Sequence, residues 1–281
     1  MSIDASTYIA EIKEWQTEKD EQLRSPDSWL TLVGLDWLND GKNSLGTGTE
    51  NAVKLPPKTA PEQVGTLTLA DGEVTLRVNN GIIATVNGNP ISKMVLEPDT
   101  NRNPDVVSVG EIKFNVIKRG GRIGIRTRHT NSPNRVNFTG RNWWLIDQDF
   151  RVEAEVTPYS PKKMVAIPDV LGDSKETAMD CQLSFKLHRQ KFILDAFALP
   201  SGQYYILFHD QSCGKGSYPS GRFLVTDIPE DDRVIIDFNK AHNPPCAFTP
   251  FATCPLPPSQ NYLATMVQAG ERYIEEPDPN Q

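Results

Sequence analysis

The chain has 281 residues and a formal net charge of −7, with 29 Lys and Arg against 36 Asp and Glu, so a surface that holds nucleic acid by its overall basicity is excluded. At about 150 residues per domain this length allows one large or two modest domains. The 19 Gly and 22 Pro predict many turns and few long helices.

No stretch approaches the roughly 18 consecutive apolar residues of a membrane span. Met1-Ser2-Ile3-Asp4 is polar and acidic where an export signal is basic and then apolar. The expectation is a soluble, cytoplasmic protein with no membrane partner. Cys181, Cys213, Cys246 and Cys254 include no CxxC pair, so free thiols with a packing role are expected in that compartment.

From Asp4 to Arg24, Tyr8, Ile12, Trp15 and Leu23 fall on one face of a helix. Asp4 or Ser6 can cap its start and Pro26 ends it. Trp15 reads as a core contact. Short runs of strand character follow: 65–69, 73–78, 82–86, 106–109, 112–118 and 123–128, with Asp71-Gly72 and Asn80-Gly81 as hairpin signals between consecutive runs. The second half repeats the style at 150–156, 163–167, 180–188, 192–198, 204–208, 222–226 and 234–238. No helical pattern separates these runs, which disfavours βαβ units. A last helix is expected over 261–275.

The expected fold is therefore mainly β, an antiparallel barrel or sandwich with an N-terminal amphipathic helix and a short C-terminal helix. Residues 1–27 form the helix that packs on the body, and 28–276 a single β-rich domain, with two β subdomains meeting near 120–145 as the alternative. Residues 277–281 form an acidic tail.

Three clusters carry chemistry. From Lys113 to Arg141 there are eight basic residues and no Asp or Glu. If 123–128 is a strand, its period of two puts Arg122, Arg126 and Arg128 on one face, where guanidinium forks can grip carboxylate or phosphate oxygens. The alternative is that they pair with acids elsewhere on the fold. The second cluster is the polar loop from His209 to Tyr218, followed by Gly221-Arg222-Phe223, placed where a buried strand ends. It is no P-loop, nucleophile elbow or dinucleotide fingerprint, and it reads equally as a hairpin loop. The third, Asp237 to Pro258, has six prolines between Pro244 and Pro258 and is rigid and non-repetitive. His242, Cys246 and Cys254 lack zinc-finger or ribbon spacing, so no metal site is assigned.

Asn243-Pro244-Pro245-Cys246-Ala247-Phe248 with Cys254-Pro255-Leu256-Pro257-Pro258, then Asn261-Tyr262-Leu263 and Ala269-Gly270-Glu271, resembles the closing signature of the prokaryotic family numbered 1684 among the domains of unknown function. The resemblance extends upstream through Ser28-Trp29-Leu30, Arg119-Gly120-Gly121-Arg122 and Gly221-Arg222-Phe223-Leu224. It implies no activity. Arg122, Arg126, Asp210, Arg222, Asp237, Asn239, Asn243, Cys246 and Cys254 fit the family pattern. Members tend to carry Tyr at the position of His242, Ser or Thr at that of Cys213 and Asp at that of His129, so these side chains look replaceable.

The functional expectation is a site for a small anion, carboxylate or phosphate, bound by Arg122, Arg126, Arg222, Asn239 and Tyr218. Asp210 and Asp237 are the proton-transfer candidates of a hydrolase-type enzyme. The contrasting expectation is a non-catalytic binding or structural protein whose Arg and Asp side chains form a buried ionic network. No cofactor is assigned, although phosphate-gripping arginines would suit a flavin.

Overall fold

The computed structural model describes Asp4–Ile274, so the expected acidic tail lies outside the described residues. The chain divides into two compact units, one of residues 22–138 with 249–252, the other of 1–21, 139–248 and 253–281.

The N-terminal β unit starts from β1 (Leu32–Trp37), β2 (Gly41–Gly46), β3 (Val53–Lys54), β4 (Gly65–Ala70), β5 (Glu73–Val78) and β6 (Thr85–Val86). It continues with β7 (Asn89–Pro90), β8 (Lys93–Leu96), β9 (Val107–Val109), β10 (Ile112–Arg119) and β11 (Arg122–His129). They form two sheets, ordered β3-β2-β4-β5-β8 and β1-β11-β10-β9-β6-β7. Alternation drives the assembly. Leu67, Leu76, Val107, Ile112, Phe114 and Ile125 point inward and are buried, each worth about 1.5–3 kcal/mol of transfer free energy.

Asp71 and Gly72 both take positive φ, at 53° and 76°, which gives the two-residue turn that joins β4 to β5. The second hairpin signal works differently. Residues 82–84 stay outside any strand, and β5 pairs with β8 instead of with the run after Asn80-Gly81.

The C-terminal unit holds β12 (Arg151–Pro168), β13 (Ser174–Leu187), β14 (Gln190–Ala198), β15 (Tyr204–Asp210), β16 (Arg222–Val225), β17 (Arg233–Asp237) and β18 (Tyr262–Leu263). The strand order is β16-β15-β14-β13-β12-β17, with β18 parallel to β15. The sheet curls into a half-barrel, and the Asp227 N–H donates to the Ile235 carbonyl at 3.2 Å just beyond the ends of β16 and β17. Its core centres on Leu183, Phe185, Leu194, Phe208, Ile236 and Phe238, with Phe208 and Phe238 edge to face at 5.4 Å.

The helix α1 (Ala5–Arg24) forms as its apolar spacing predicts, and the Asp4 carboxylate accepts from the Thr7 N–H at its start. Tyr8, Ile12 and Leu23 are buried. Trp15 meets Trp143 edge to face at 5.6 Å.

Two expectations are corrected. Residues 261–274 form no helix: a short 3-10 turn over Ser259–Asn261 leads into β18 and then irregular chain. The cause lies in the backbone partners. The Val267 N–H donates to Asp210, while the Val267 and Ala269 carbonyls accept from Arg222, so these groups are spent outside any i to i−4 ladder. Gly270, at φ 78°, also takes a conformation foreign to a helix. The second correction concerns the thiols. Cys246 and Cys254 form a disulfide within the proline-stiffened segment, while Cys181 and Cys213 are free.

Candidate functional site

Asp210 ends β15 and Arg222 begins β16, so the hairpin between them brings opposite charges together inside the sheet. Both side chains are 0% exposed, with Arg222 Nη2 donating to Asp210 Oδ2 at 2.8 Å. Arg222 also donates to the carbonyls of Val267 and Ala269 and lies 5.3 Å from the centre of the Phe208 ring. Asp210 Oδ1 accepts from the N–H groups of Ser212 and Val267. Burial works against the charge, yet the Arg222 guanidinium and these donors hold the Asp210 carboxyl below the ordinary carboxylate range. This is a sealed, multiply bonded ion pair.

Asp237 and Asn239 form a separate buried group. Asp237 accepts from the Tyr8 hydroxyl at 2.9 Å and from the Asn239 N–H at 3.0 Å. The Asn239 amide donates to the Tyr8 oxygen and to the Asp147 carbonyl. Burial raises the Asp237 carboxyl above its usual range. Tyr218 stands edge to face with Tyr273 at 4.9 Å.

Arg122 and Arg126 belong to the N-terminal unit, whereas Asp210, Tyr218, Arg222, Asp237 and Asn239 belong to the C-terminal one. The β11 register puts Arg122, Arg126 and Arg128 on one face, opposite Arg119, Asn115 and Lys113 of β10. The Arg122 guanidinium lies 4.9 Å from the Trp37 ring centre and that of Arg128 5.9 Å from Trp29. Arg126 is 6% exposed, and burial together with the charge of Arg119 lowers its pKa to about 10.

The open polar concavity of the C-terminal unit lies elsewhere, at the seam where β16 and β17 approach. It is a pocket of about 370 Å³. Trp15 and Lys19, four residues apart on α1, supply one wall, and Leu199 and Gln203 of the β14–β15 turn a second. Val225 to Asp227 continue from β16, and Lys240 and His242 follow β17. The Lys19 ammonium sits 5.5 Å from the Trp15 ring centre, and burial with the charge of Arg141 lowers its pKa. Lys240 Nζ is 3.5 Å from Asp227 Oδ1, and Arg151 also reaches Asp227, at 3.8 Å. His242 is half-buried. Burial and the charges of Lys19 and Arg141 push its imidazole down to about 3, so it is neutral at pH 7 and a weak base.

Arg141 in turn pairs with Glu271 at 2.9 Å. Burial pushes the Glu271 carboxyl up to about 7 against the pull of Arg141 and of the Asn243 N–H. Among the described residues no three His, Cys, Asp or Glu side chains gather as a metal site, and no helix is long and apolar enough to cross a membrane.

Sequence reasoning took Trp15 only as a core contact and did not single out Lys19, Lys240 or Glu271 as functional. The i, i+4 spacing of Trp15 and Lys19 on α1 was the one local signal that could have paired them.

Fold and site define a mainly β protein built around an internal ion pair. Residues 136–272 match the family model described as Protein of unknown function (DUF1684), and the chain belongs to that family. Among solved structures, an uncharacterized protein from Haloarcula marismortui is 34% identical, over 49% of this chain and 78% of its own length, with a TM-score of 0.41. The FHA-2 domain of a Mycobacterium tuberculosis ABC transporter is 24% identical over 32% of this chain and 77% of its own, with a TM-score of 0.24. The FhaA FHA domain, in complex with an intracellular domain, is 19% identical over 34% of this chain and 97% of its own, also with a TM-score of 0.24. No curated protein matches the chain.

Proposed function

We propose that this protein binds a small organic anion, without turning it over, in the pocket between Lys19, Lys240 and His242, and that Asp210 with Arg222 is an internal strut. The observation that carries the reading is the convergence of two ammonium groups and a neutral imidazole on one indole-walled pocket of about 370 Å³, a size within the range of about 300 to 1,000 Å³ common for small-ligand sites. Arg222, by contrast, is fully buried and bonded to Asp210 and two carbonyls.

A hydrolase would need Asp210 or Asp237 to meet a substrate. Both carboxylates are buried and committed to internal donors, which supports binding over proton transfer by them. Location is part of the same proposal. A cytoplasmic protein keeps Cys246 and Cys254 as thiols, whereas their bridge belongs with an oxidising compartment. Thiol counting on protein alkylated at lysis distinguishes the two.

The test is the melting temperature of the parent and of Lys240→Met with acetate, phenylacetate, sulfate and phosphate at equal ionic strength. A site predicts stabilisation of the parent by at least one of these anions, lost in a variant that melts within a few degrees of it in plain buffer. Parent protein indifferent to all four would overturn the reading.

A further inference from the structure

The polar groups that line this pocket fall into two sets. Gln203 and Thr226 are engaged internally: Gln203 Nε2 donates to the Thr226 carbonyl at 2.8 Å and its Oε1 accepts from Ser201 at 3.0 Å. The Thr226 hydroxyl donates to the Asp227 carbonyl at 2.7 Å and accepts from the Tyr204 N–H at 3.0 Å. They shape the wall. The charges belong to Lys19, Lys240 and Asp227, two positive and one negative, so a monoanion is the charge match and a dianion is not.

His242 adds direction. Its Nδ1 lies 3.4 Å from the Lys240 carbonyl oxygen. A carbonyl only accepts, so the proton of the neutral ring sits on Nδ1 and Nε2 is left as an acceptor. The ring stands edge-on to Phe223, at 87°, which fixes its plane. An acceptor beside two ammonium groups calls for a ligand that carries a donor close to its carboxylate. Trp15, Leu199 and Val225 complete the lining with apolar surface, which neither phosphate nor acetate would cover.

We infer that the ligand is a small monocarboxylate with an apolar body and a hydroxyl or amide N–H next to the carboxylate, the carboxylate going to Lys19 and Lys240 and the donor to His242. This rests on the pocket being the binding site, as proposed above.

The experiment is isothermal titration of the full chain with mandelate, with phenylacetate, which lacks only the hydroxyl, and with inorganic phosphate. One hydrogen bond to a neutral acceptor is worth about 1 kcal/mol, or about fivefold in affinity. Mandelate is therefore expected to bind about fivefold tighter than phenylacetate, with phosphate weakest. His242→Phe is expected to bring the two carboxylates to equal affinity, and His242→Gln, which keeps an acceptor, to retain the preference. The preference in the parent is itself decisive if His242→Phe does not fold. Equal binding of mandelate and phenylacetate, or tighter binding of phosphate than of either, overturns the ligand class while leaving an anion site in place. Binding of none of the three overturns the class and the site together.

Discussion

The C-terminal unit contains two places where cations and carboxylates meet, and they differ in almost every physical respect but composition. At Asp210 and Arg222 both side chains are 0% exposed, and the charges are matched by backbone groups of a segment 45 to 57 residues further on. At Lys19, Lys240 and Asp227 the ions are lysines on flexible stems, the contact is 3.5 Å, and the space between them is open. A guanidinium committed to a carboxylate and two carbonyls has little left for a ligand. Two ammonium groups facing one carboxylate across a pocket keep a net positive charge that a ligand can meet. Burial and commitment, more than residue type, separate a strut from a site.

The sharpest way to break this contrast is to remove one half of the strut. Arg222→Met leaves the Asp210 carboxylate buried without its partner, which costs about 3–5 kcal/mol and also frees the Val267 and Ala269 carbonyls. Urea unfolding is expected to show a loss of that size, whereas Asp210→Leu with Arg222→Met should lose less than the two single changes summed. Additive losses would show that the pair does not act as a unit.

A second contrast lies in pH. Glu271 titrates near 7 in the fold against an ordinary 4.5. Its contribution to stability is therefore full below about pH 4.5 and is lost as pH rises toward 7. His242 titrates near 3 against 6.5, so its contribution is full above about 6.5 and shrinks as pH falls. The two slopes oppose each other between about pH 4.5 and 6.5, each spanning a few kcal/mol in full. Compared with the parent, Glu271→Gln is expected to lose more stability as pH falls through that window, and His242→Gln to gain. Equal pH profiles for the three proteins would contradict the burial assigned to both groups.

Smaller effects sharpen the picture. Tyr8→Phe removes the hydroxyl shared by Asp237 and Asn239 and is expected to cost about 1–2 kcal/mol in chemical unfolding. Lys240→Met touches only a loose contact with Asp227 and is expected to change stability by less than about 1 kcal/mol.

Much of the fold is written locally. The β11 strand follows from the run after Gly121, and the β4–β5 hairpin from Asp71-Gly72, because a strand needs only its own alternation and a tight turn only two residues able to take positive φ. The C-terminal segment escaped such reading. Its 261–275 stretch has residues a helix would accept, yet Asp210 and Arg222 take the backbone groups that a helix needs, and that competition is invisible in a window of fifteen residues. The sheet face shared by Arg122, Arg126 and Arg128 was legible for the same reason as the strand. The pocket was not, because Lys19, Gln203, Val225 and Lys240 come from four elements spread along the chain, and only folding makes them neighbours. Asp210, Arg222, Asp237 and Asn239 were visible as polar residues at strand ends, but nothing in their spacing tells a sealed end from an open one.

The most direct test of the strut-and-site account is the melting temperature of parent, Lys240→Met and Arg222→Met, each with and without saturating mandelate. The account predicts a ligand-dependent rise in the parent that disappears in Lys240→Met without a lower baseline. Arg222→Met should melt many degrees lower in both buffers and still rise with ligand. A rise that survives in Lys240→Met and vanishes in a folded Arg222→Met would contradict the account, moving the site to the buried pair.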